Sequence, residues 1–305
     1  MSENLSYFNE QTTLYRDMIE EKLEEILQIK EDIIPDQVRK AMKYSVLGGG
    51  KRVRGILVLA FAKLCGTEEV KALNFACALE MVHAYSLIHD DLPCMDNDDM
   101  RRGKPSCHIE FGEATALLAG DALLTKAFEV ISKADLPAEI RVEALKELSL
   151  SCGDRGMIYG QMIDLFLEEN DAFVGDQELS ARVLNKLHNH KTAALISASA
   201  KLGAIAAGAD GESRQKAGKF GNKIGLAFQF IDDILDCTGD DEVLGKPTGS
   251  DAKNSKLTSV TVYGQENAYN IACNLTNEAQ EDLAFFDGNS QFLSDFCMIL
   301  LERES

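Results

Sequence analysis

The chain has 305 residues, 45% of them hydrophobic and 27% charged, and its 31 basic against 50 acidic side chains give a formal net charge of −19. That length can bury a substantial core, and the acidic balance excludes a general nucleic-acid binder, which needs a basic face against phosphates. Phosphorylated small molecules stay open, because a few local cations or metal ions reverse the field inside a cleft. The 8 cysteines are scattered with no CxxC pair, which excludes the usual ligand spacing of a structural zinc. The opening "MSENLSYFNEQ" lacks the basic-then-apolar pattern of a secretory signal. No uncharged apolar run approaches the roughly 18 to 20 residues of a membrane span. Free thiols without an export signal lead us to expect a reducing, cytoplasmic setting and no membrane insertion.

Helical spacing dominates from the start, where Leu14, Met18, Leu23 and Leu27 recur every four or five residues among acids and lysines. Pro35 and Asp36 suit a helix start. Residues 55–65, 71–91, 113–133, 137–152, 179–207, 213–237 and 265–283 read as further helices. Strand alternation is absent over any useful length. Loops are expected at "LGGGK", "DLPCMDNDDMRRGKPS", "EENDAFVGD", "AAGADGES" and "TGDDEVLGKPTGSD". No linker or repeat divides the chain, so 1–305 reads as one all-α domain, a large helical bundle.

The stretch "HDDLPCMDNDDMRRG", residues 89–103, crowds aspartates around a proline. Pro93 disfavours helix at Leu92, so Asp90 and Asp91 end the preceding helix. His83, seven residues before Asp90, lies about 20° from it around the helix, whereas Asp96 lies about 240° round. Only a turn broken at the proline would fold Asp96 back beside Asp90. The stretch is either a solvated acidic loop or a site for Mg²⁺, which takes oxygen ligands and keeps positions for water or substrate phosphate. A calcium loop fails, because Met100 and Arg101 stand where a ligand and a glycine are required.

A second group, "FQFIDDILD" at 228–236, sits in an apolar helical setting. Asp232 and Asp236 are i, i+4 on one face, Asp233 is about 100° round, and Gln229 lies on the same side. Aspartate is a poor helix former and is rarely buried without a counter-charge, so three together call for a cation. The basic elements follow the acidic ones: Lys51, Arg52 and Arg54 after a triple glycine, Arg101 and Arg102 after the first motif, Lys191 with Thr192, and Lys246 and Lys256 after the second. A P-loop is excluded by Ser45 and Arg52. Cations beside acids are often mere surface pairs, but with two metal-type motifs they suit two diphosphates, one bridged by metal and one held by Arg and Lys.

These motifs, with "GGGKRVR", "EMVHAYSLIHDDLPCMDNDDMRRGKPSCH", "GDALLTKAFEVI", "GQMIDL", "LHNHKT" and "LGKPTGSD", resemble the trans-isoprenyl diphosphate synthases, the polyprenyl synthetase family. The resemblance runs from about residue 40 to 260. It implies an all-helical fold around a deep central cavity, with the acidic motifs facing each other across the mouth, and a homodimer. It implies Mg²⁺, three ions to a site, held by Asp90, Asp96 and Asp232 with Asp91, Asp233 and Asp236 assisting. Arg101, Lys191, Lys246 and Lys256 would grip the allylic diphosphate, and Thr192 and Gln229 would line the path of the developing cation. Lys51, Arg54, His83 and Arg102 would bind isopentenyl diphosphate. Tyr85, with small Ser86 beside it, would set product length, an aromatic there going with farnesyl products and Met or a small residue with geranylgeranyl ones.

The implied reaction is Mg²⁺-assisted ionisation of an allylic diphosphate, head-to-tail attack by isopentenyl diphosphate, and loss of a proton, running from dimethylallyl through geranyl to farnesyl diphosphate. A geranylgeranyl synthase is the alternative product reading. A noncatalytic partner subunit is the alternative from another class, and the intact motifs oppose it. A terpene cyclase would lack the Lys51, Arg54 and His83 group. His188 and His190 read as structural. The chain departs from the family at Gly55, where proline is common, at Ser259, where tyrosine is usual, and at "LLERES", which lacks a basic tail.

Overall fold

In a computed structural model, which describes residues 2–28, 36–170, 176–238 and 257–302, the chain is built almost wholly of helices. They are α1 (Ser2–Ile26), α2 (Gln37–Val46), α3 (Val53–Leu64), α4 (Glu69–Asp90), α5 (Cys107–Phe111), α6 (Glu113–Ser132), α7 (Ala138–Cys152), α8 (Met157–Glu169) and α9 (Gln177–His188). After a π-helical turn at Asn189–Ala193 come α10 (Ala194–Ala206), α11 (Gly211–Thr238), α12 (Ser259–Tyr263), α13 (Gln265–Leu283) and α14 (Gln291–Leu301). The helices expected from periodicity are present to within a few residues. Among the described residues the strands are a two-residue antiparallel pair, β1 (Met100–Arg101) and β2 (Lys104–Pro105), which pins the loop after the first acidic motif.

Alpha-helix α10 runs through the middle, packed by α3, α4, α7 and α11. Ten of its side chains, Leu195 through Ala206 with few breaks, are buried, the signature of a helix that is apolar on every side. Helix α3 is likewise buried along most of its length. Burying each large aliphatic or aromatic side chain is worth about 1.5 to 3 kcal/mol. Aromatic pairs add direction: Phe61 meets Phe220 edge-on at 5.1 Å between centroids, and Phe8 stacks on Phe292 at 5.0 Å, fixing α1 against α14.

Helix starts follow local chemistry. The Asp36 side chain accepts from the Arg39 backbone N–H at 2.9 Å to cap α2. Between α2 and α3, Gly49 and Gly50 take φ of 100° and 130°, conformations that favour glycine. A Cβ on Gly50 would lie 2.9 Å from the Arg102 guanidinium, which would have to shift aside. Arg52 is buried, and its guanidinium donates to Glu20 at 2.7 Å and to the Val46 carbonyl at 2.6 Å and faces Glu80 at 3.5 Å. It ties α1, α2 and α4 to the start of α3. The departure at Gly55 has a physical reason here: its backbone N–H donates to Glu80 at 2.8 Å, a bond proline cannot make.

Periodicity alone reads 179–207 as one continuous helix. The structure inserts the π-turn at 189–193, and the extra residue per turn there aims Lys191 and Thr192 sideways. Gly160 of α8 permits this packing, since a Cβ on it would come within 2.2 Å of the Lys191 backbone nitrogen.

Candidate active site

Helix α4 ends at Asp90, and Asp91 is its C-terminal cap. The turn through Pro93 then folds the chain back, so that the Asp96 N–H donates to the Asp90 carbonyl at 2.9 Å. The proline-broken turn therefore returns Asp96 to Asp90, as the spacing required. Asp90 and Asp91 are buried, and Asp96 is half-buried. Burial pushes the Asp90 carboxyl up to about 6, with Asp96 and Asp164 adding repulsion against the pull of Lys191 and Arg101. Burial also raises Asp91, which Arg101 offsets by donating from Nε to Oδ1 at 3.0 Å and from Nη2 to the same oxygen. Arg101 reaches Asp98 as well, at 3.5 Å.

The π-turn stands between the two acidic motifs. Lys191 Nζ lies 3.7 Å from Asp90 Oδ2 and donates to Asp164 Oδ2. Burial opposes its charge, but Asp164 and Asp90 prevail and raise its pKa above the ordinary lysine value. On the next residue, Thr192 Oγ1 donates to Gln229 Oε1 of α11 at 2.8 Å. Two neighbouring side chains thus touch the first motif and the flank of the second. Gln229 Nε2 donates onward to Asp233 Oδ1 at 2.8 Å. Asp233 and Asp236 are buried, and Asp232 is half-buried.

Two residues that sequence reasoning left out join this site. Gln161 Nε2 donates to Asp90 Oδ1, and Asp164 is the closer anchor of Lys191. Both lie on α8 at i, i+3, within the "GQMIDL" stretch. That polar pair in an otherwise apolar helix was the available signal.

The second group of basic residues converges below the first motif. His83, on the Asp90 face of α4, has its pKa held well below the ordinary histidine value by burial, with Arg54, Arg102, Arg101 and Arg52 adding like charge. Arg54 is half-buried, its Nε has no hydrogen-bond partner among the described residues, and burial lowers its pKa against the pull of Glu80 and Asp232. The Arg102 guanidinium donates to the Gly49 carbonyl and so clasps the loop that carries exposed Lys51. The group thus gathers arginine charge around one buried histidine. Lys246 and Lys256 lie outside the described residues.

Tyr85 is 4% exposed and its hydroxyl has no hydrogen-bond partner among the described residues. Its ring stands edge-on to His89 at 5.7 Å, and burial pushes its phenol upward. Ser86 turns its hydroxyl back to the His83 carbonyl at 2.8 Å. His188 is buried 3.6 Å from Asp233, and His190 Nδ1 meets the Arg155 carbonyl at 3.2 Å. A cleft of about 540 Å³ on the other side of the π-turn, lined by Arg155, Lys186 and Lys201 among others, contains no residue of either acidic motif.

Residues 35–284 match the family model described as polyprenyl synthetase. The chain belongs to the polyprenyl synthetase family. It is 46% identical over 260 residues to geranylgeranyl pyrophosphate synthase 4 of Arabidopsis thaliana, covering 84% of this chain and 68% of that protein. The fold superposes on an FPP/GFPP synthase from Zymomonas mobilis with TM-score 0.82 and 34% identity, over 99% of this chain and 100% of the other. It superposes on a geranyltransferase from Helicobacter pylori, complexed with magnesium and isoprenyl diphosphate, with TM-score 0.81 and 38% identity, over 98% and 96% of the two chains. The chain is thus a trans-isoprenyl diphosphate synthase by family and by fold.

Among the described residues, no three His, Cys, Asp or Glu side chains stand close enough to hold a metal ion by themselves. The donor set nonetheless fits Mg²⁺. It consists of hard carboxylate oxygens, Asp90 raised by burial first and by repulsion from Asp96 second, and Mg²⁺ ordinarily completes its shell with water and substrate phosphate.

Proposed function

We propose that this head-to-tail prenyltransferase makes farnesyl diphosphate, by two condensations of isopentenyl diphosphate starting from dimethylallyl diphosphate. The observation that carries the product length is Tyr85: a buried aromatic five residues before Asp90, about 7.5 Å back along α4. In our reading a chain growing away from the aspartates meets that ring from the flank, about 140° round α4 from Asp90, while small Ser86 lies on the aspartate face. The name of the Arabidopsis relative favours the second reading, a geranylgeranyl synthase.

Asp90, Asp96 and Asp232, with Asp91 and Asp236 beside them, would hold Mg²⁺, three ions in our reading, which when bound neutralises the departing diphosphate. Lys191 and Arg101 bind the same group as charge-assisted donors. Arg54, Arg102, His83 and Lys51 hold the diphosphate of isopentenyl diphosphate, so that its double bond lies within reach of the allylic carbon. The C–O bond breaks, the double bond attacks that carbon, and a proton leaves the new tertiary cation for the released pyrophosphate. Thr192 and Gln229 face the allylic carbon with oxygen lone pairs, which favour positive charge as it develops.

The assembly in our reading is a homodimer. Leu117 and Leu118 on α6, and Ile158, Met162 and Phe166 on α8, are exposed at 45% or more, an apolar surface of the kind that copies of a chain cover. No helix among the described residues is long and apolar enough to cross a membrane. The free cysteines accord with a cytoplasmic setting. Incorporation of labelled isopentenyl diphosphate into dimethylallyl diphosphate, with Mg²⁺ and with chelator, tests the reaction. Acid-labile product formed only with Mg²⁺ is expected, and none under any condition would overturn it.

A further inference from the structure

The middle aspartate of the second acidic motif is held from two sides. Asp233 is 5% exposed. Its Oδ1 accepts from Gln229 Nε2 at 2.8 Å, and its Oδ2 accepts from the Ser259 backbone N–H at 2.6 Å. His188 Nε2 stands 3.6 Å from that second oxygen. Each carboxylate oxygen is thus engaged by a directed N–H from a different part of the chain. These two bonds fix the plane of a buried carboxylate and tie α11 to the chain at Ser259.

The consequences run outward through Gln229. A carboxylate only accepts, so the Gln229 amide must turn its NH₂ toward Asp233. That places the Gln229 carbonyl oxygen toward Thr192, whose hydroxyl proton is then spent on it at 2.8 Å. With the proton so directed, the free lone pairs of Thr192 Oγ1 are left for the site. The orientation of two acceptor dipoles therefore depends on one buried charge. The same carboxylate fixes the chain where α12 begins, and it does so through the backbone of residue 259. That bond is to the backbone, so it does not depend on the side chain at 259.

We propose that Asp233 is a positioning residue: it sets the orientation of Gln229 and Thr192 toward the allylic carbon and anchors the chain at Ser259. The proposal rests on the prenyltransferase reading for its kinetic part and on geometry alone for its structural part.

Three measurements test it. Asp233→Asn should lower kcat at least tenfold while leaving the Mg²⁺ concentration for half-maximal activity within twofold of wild type, whereas Asp232→Asn should raise that concentration at least tenfold. In a cycle of Asp233→Ala with Gln229→Ala, the double variant should be no slower than the slower single one, because both changes remove the same orientation. Independently of turnover, the Gln229 side-chain amide protons should exchange slowly with solvent in wild type and rapidly in Asp233→Ala, with circular dichroism reporting retained helix. An Mg²⁺ requirement rising in Asp233→Asn as in Asp232→Asn, or multiplicative losses in the cycle, would overturn the proposal. Unchanged exchange at Gln229 would overturn it even if no turnover were found in any variant, an outcome that would separately remove the prenyltransferase reading.

Discussion

Lys191 Nζ stands 3.7 Å from Asp90 Oδ2, but its closer partner is Asp164. Asp164 thus holds the ammonium between the two carboxylates and nearer to itself. Asp164→Asn should free Lys191 to pair with Asp90. Losing that charge-assisted contact is worth roughly 1.5 to 3 kcal/mol, about ten- to a hundredfold in kcat/KM, and the Mg²⁺ requirement should rise with it. Steady-state kinetics across a Mg²⁺ titration checks both, and unchanged values would show that the pair is only structural.

Metal dependence should reside in both acidic motifs. Asp90→Ala and Asp232→Ala are each expected to reduce turnover by several orders of magnitude and to leave the helical circular dichroism intact, because charge on the leaving diphosphate must be neutralised as the bond breaks. Near-normal turnover of either variant at saturating Mg²⁺ would contradict the assignment.

Arg54 belongs to the basic group around His83 rather than to the carboxylates. Arg54→Ala should raise the KM for isopentenyl diphosphate about ten- to a hundredfold, from roughly 1.5 to 3 kcal/mol of lost charge-assisted bonding, and should move the allylic KM much less. Equal effects on both substrates would place Arg54 in the wrong site.

His83 provides a test through protons. Burial and four arginines depress its pKa, so the imidazole is neutral at pH 7 in the free protein. A bound diphosphate offsets the arginine charge and raises that pKa. Binding should therefore take up protons and tighten as pH falls through the His83 pKa of the complex toward the lower pKa of the free protein. Calorimetry at pH 6.5 in buffers of different ionisation heat should show wild type taking up more protons than His83→Gln, by up to about one per site. Equal uptake would remove His83 from the anion site.

Much of this was legible in the sequence because it is local. The helix end at Asp90, the fold-back of Asp96 and the shared face of His83 and Asp90 follow from one proline and 100° per residue. The π-turn was not legible, since the letters of Asn189–Ala193 read as helix with or without one extra residue in the turn. Asp164 and Gln161 escaped notice because their partners lie on other helices, and only packing through Gly160 brings Lys191 within reach. Asp233 shows the same limit. Three aspartates in nine residues look alike as letters, and the bond from Ser259 to the middle one comes from a segment 26 residues away.

Tyr85 carries the product assignment, so the most direct test reads chain length in wild type and Tyr85→Ala side by side. Each is supplied with Mg²⁺, isopentenyl diphosphate and dimethylallyl diphosphate, and the products are dephosphorylated and separated by chromatography. The account predicts mainly fifteen-carbon product from wild type and a shift to twenty carbons or more from the variant. Mainly twenty-carbon product from wild type, or a variant that still stops at fifteen, would contradict it.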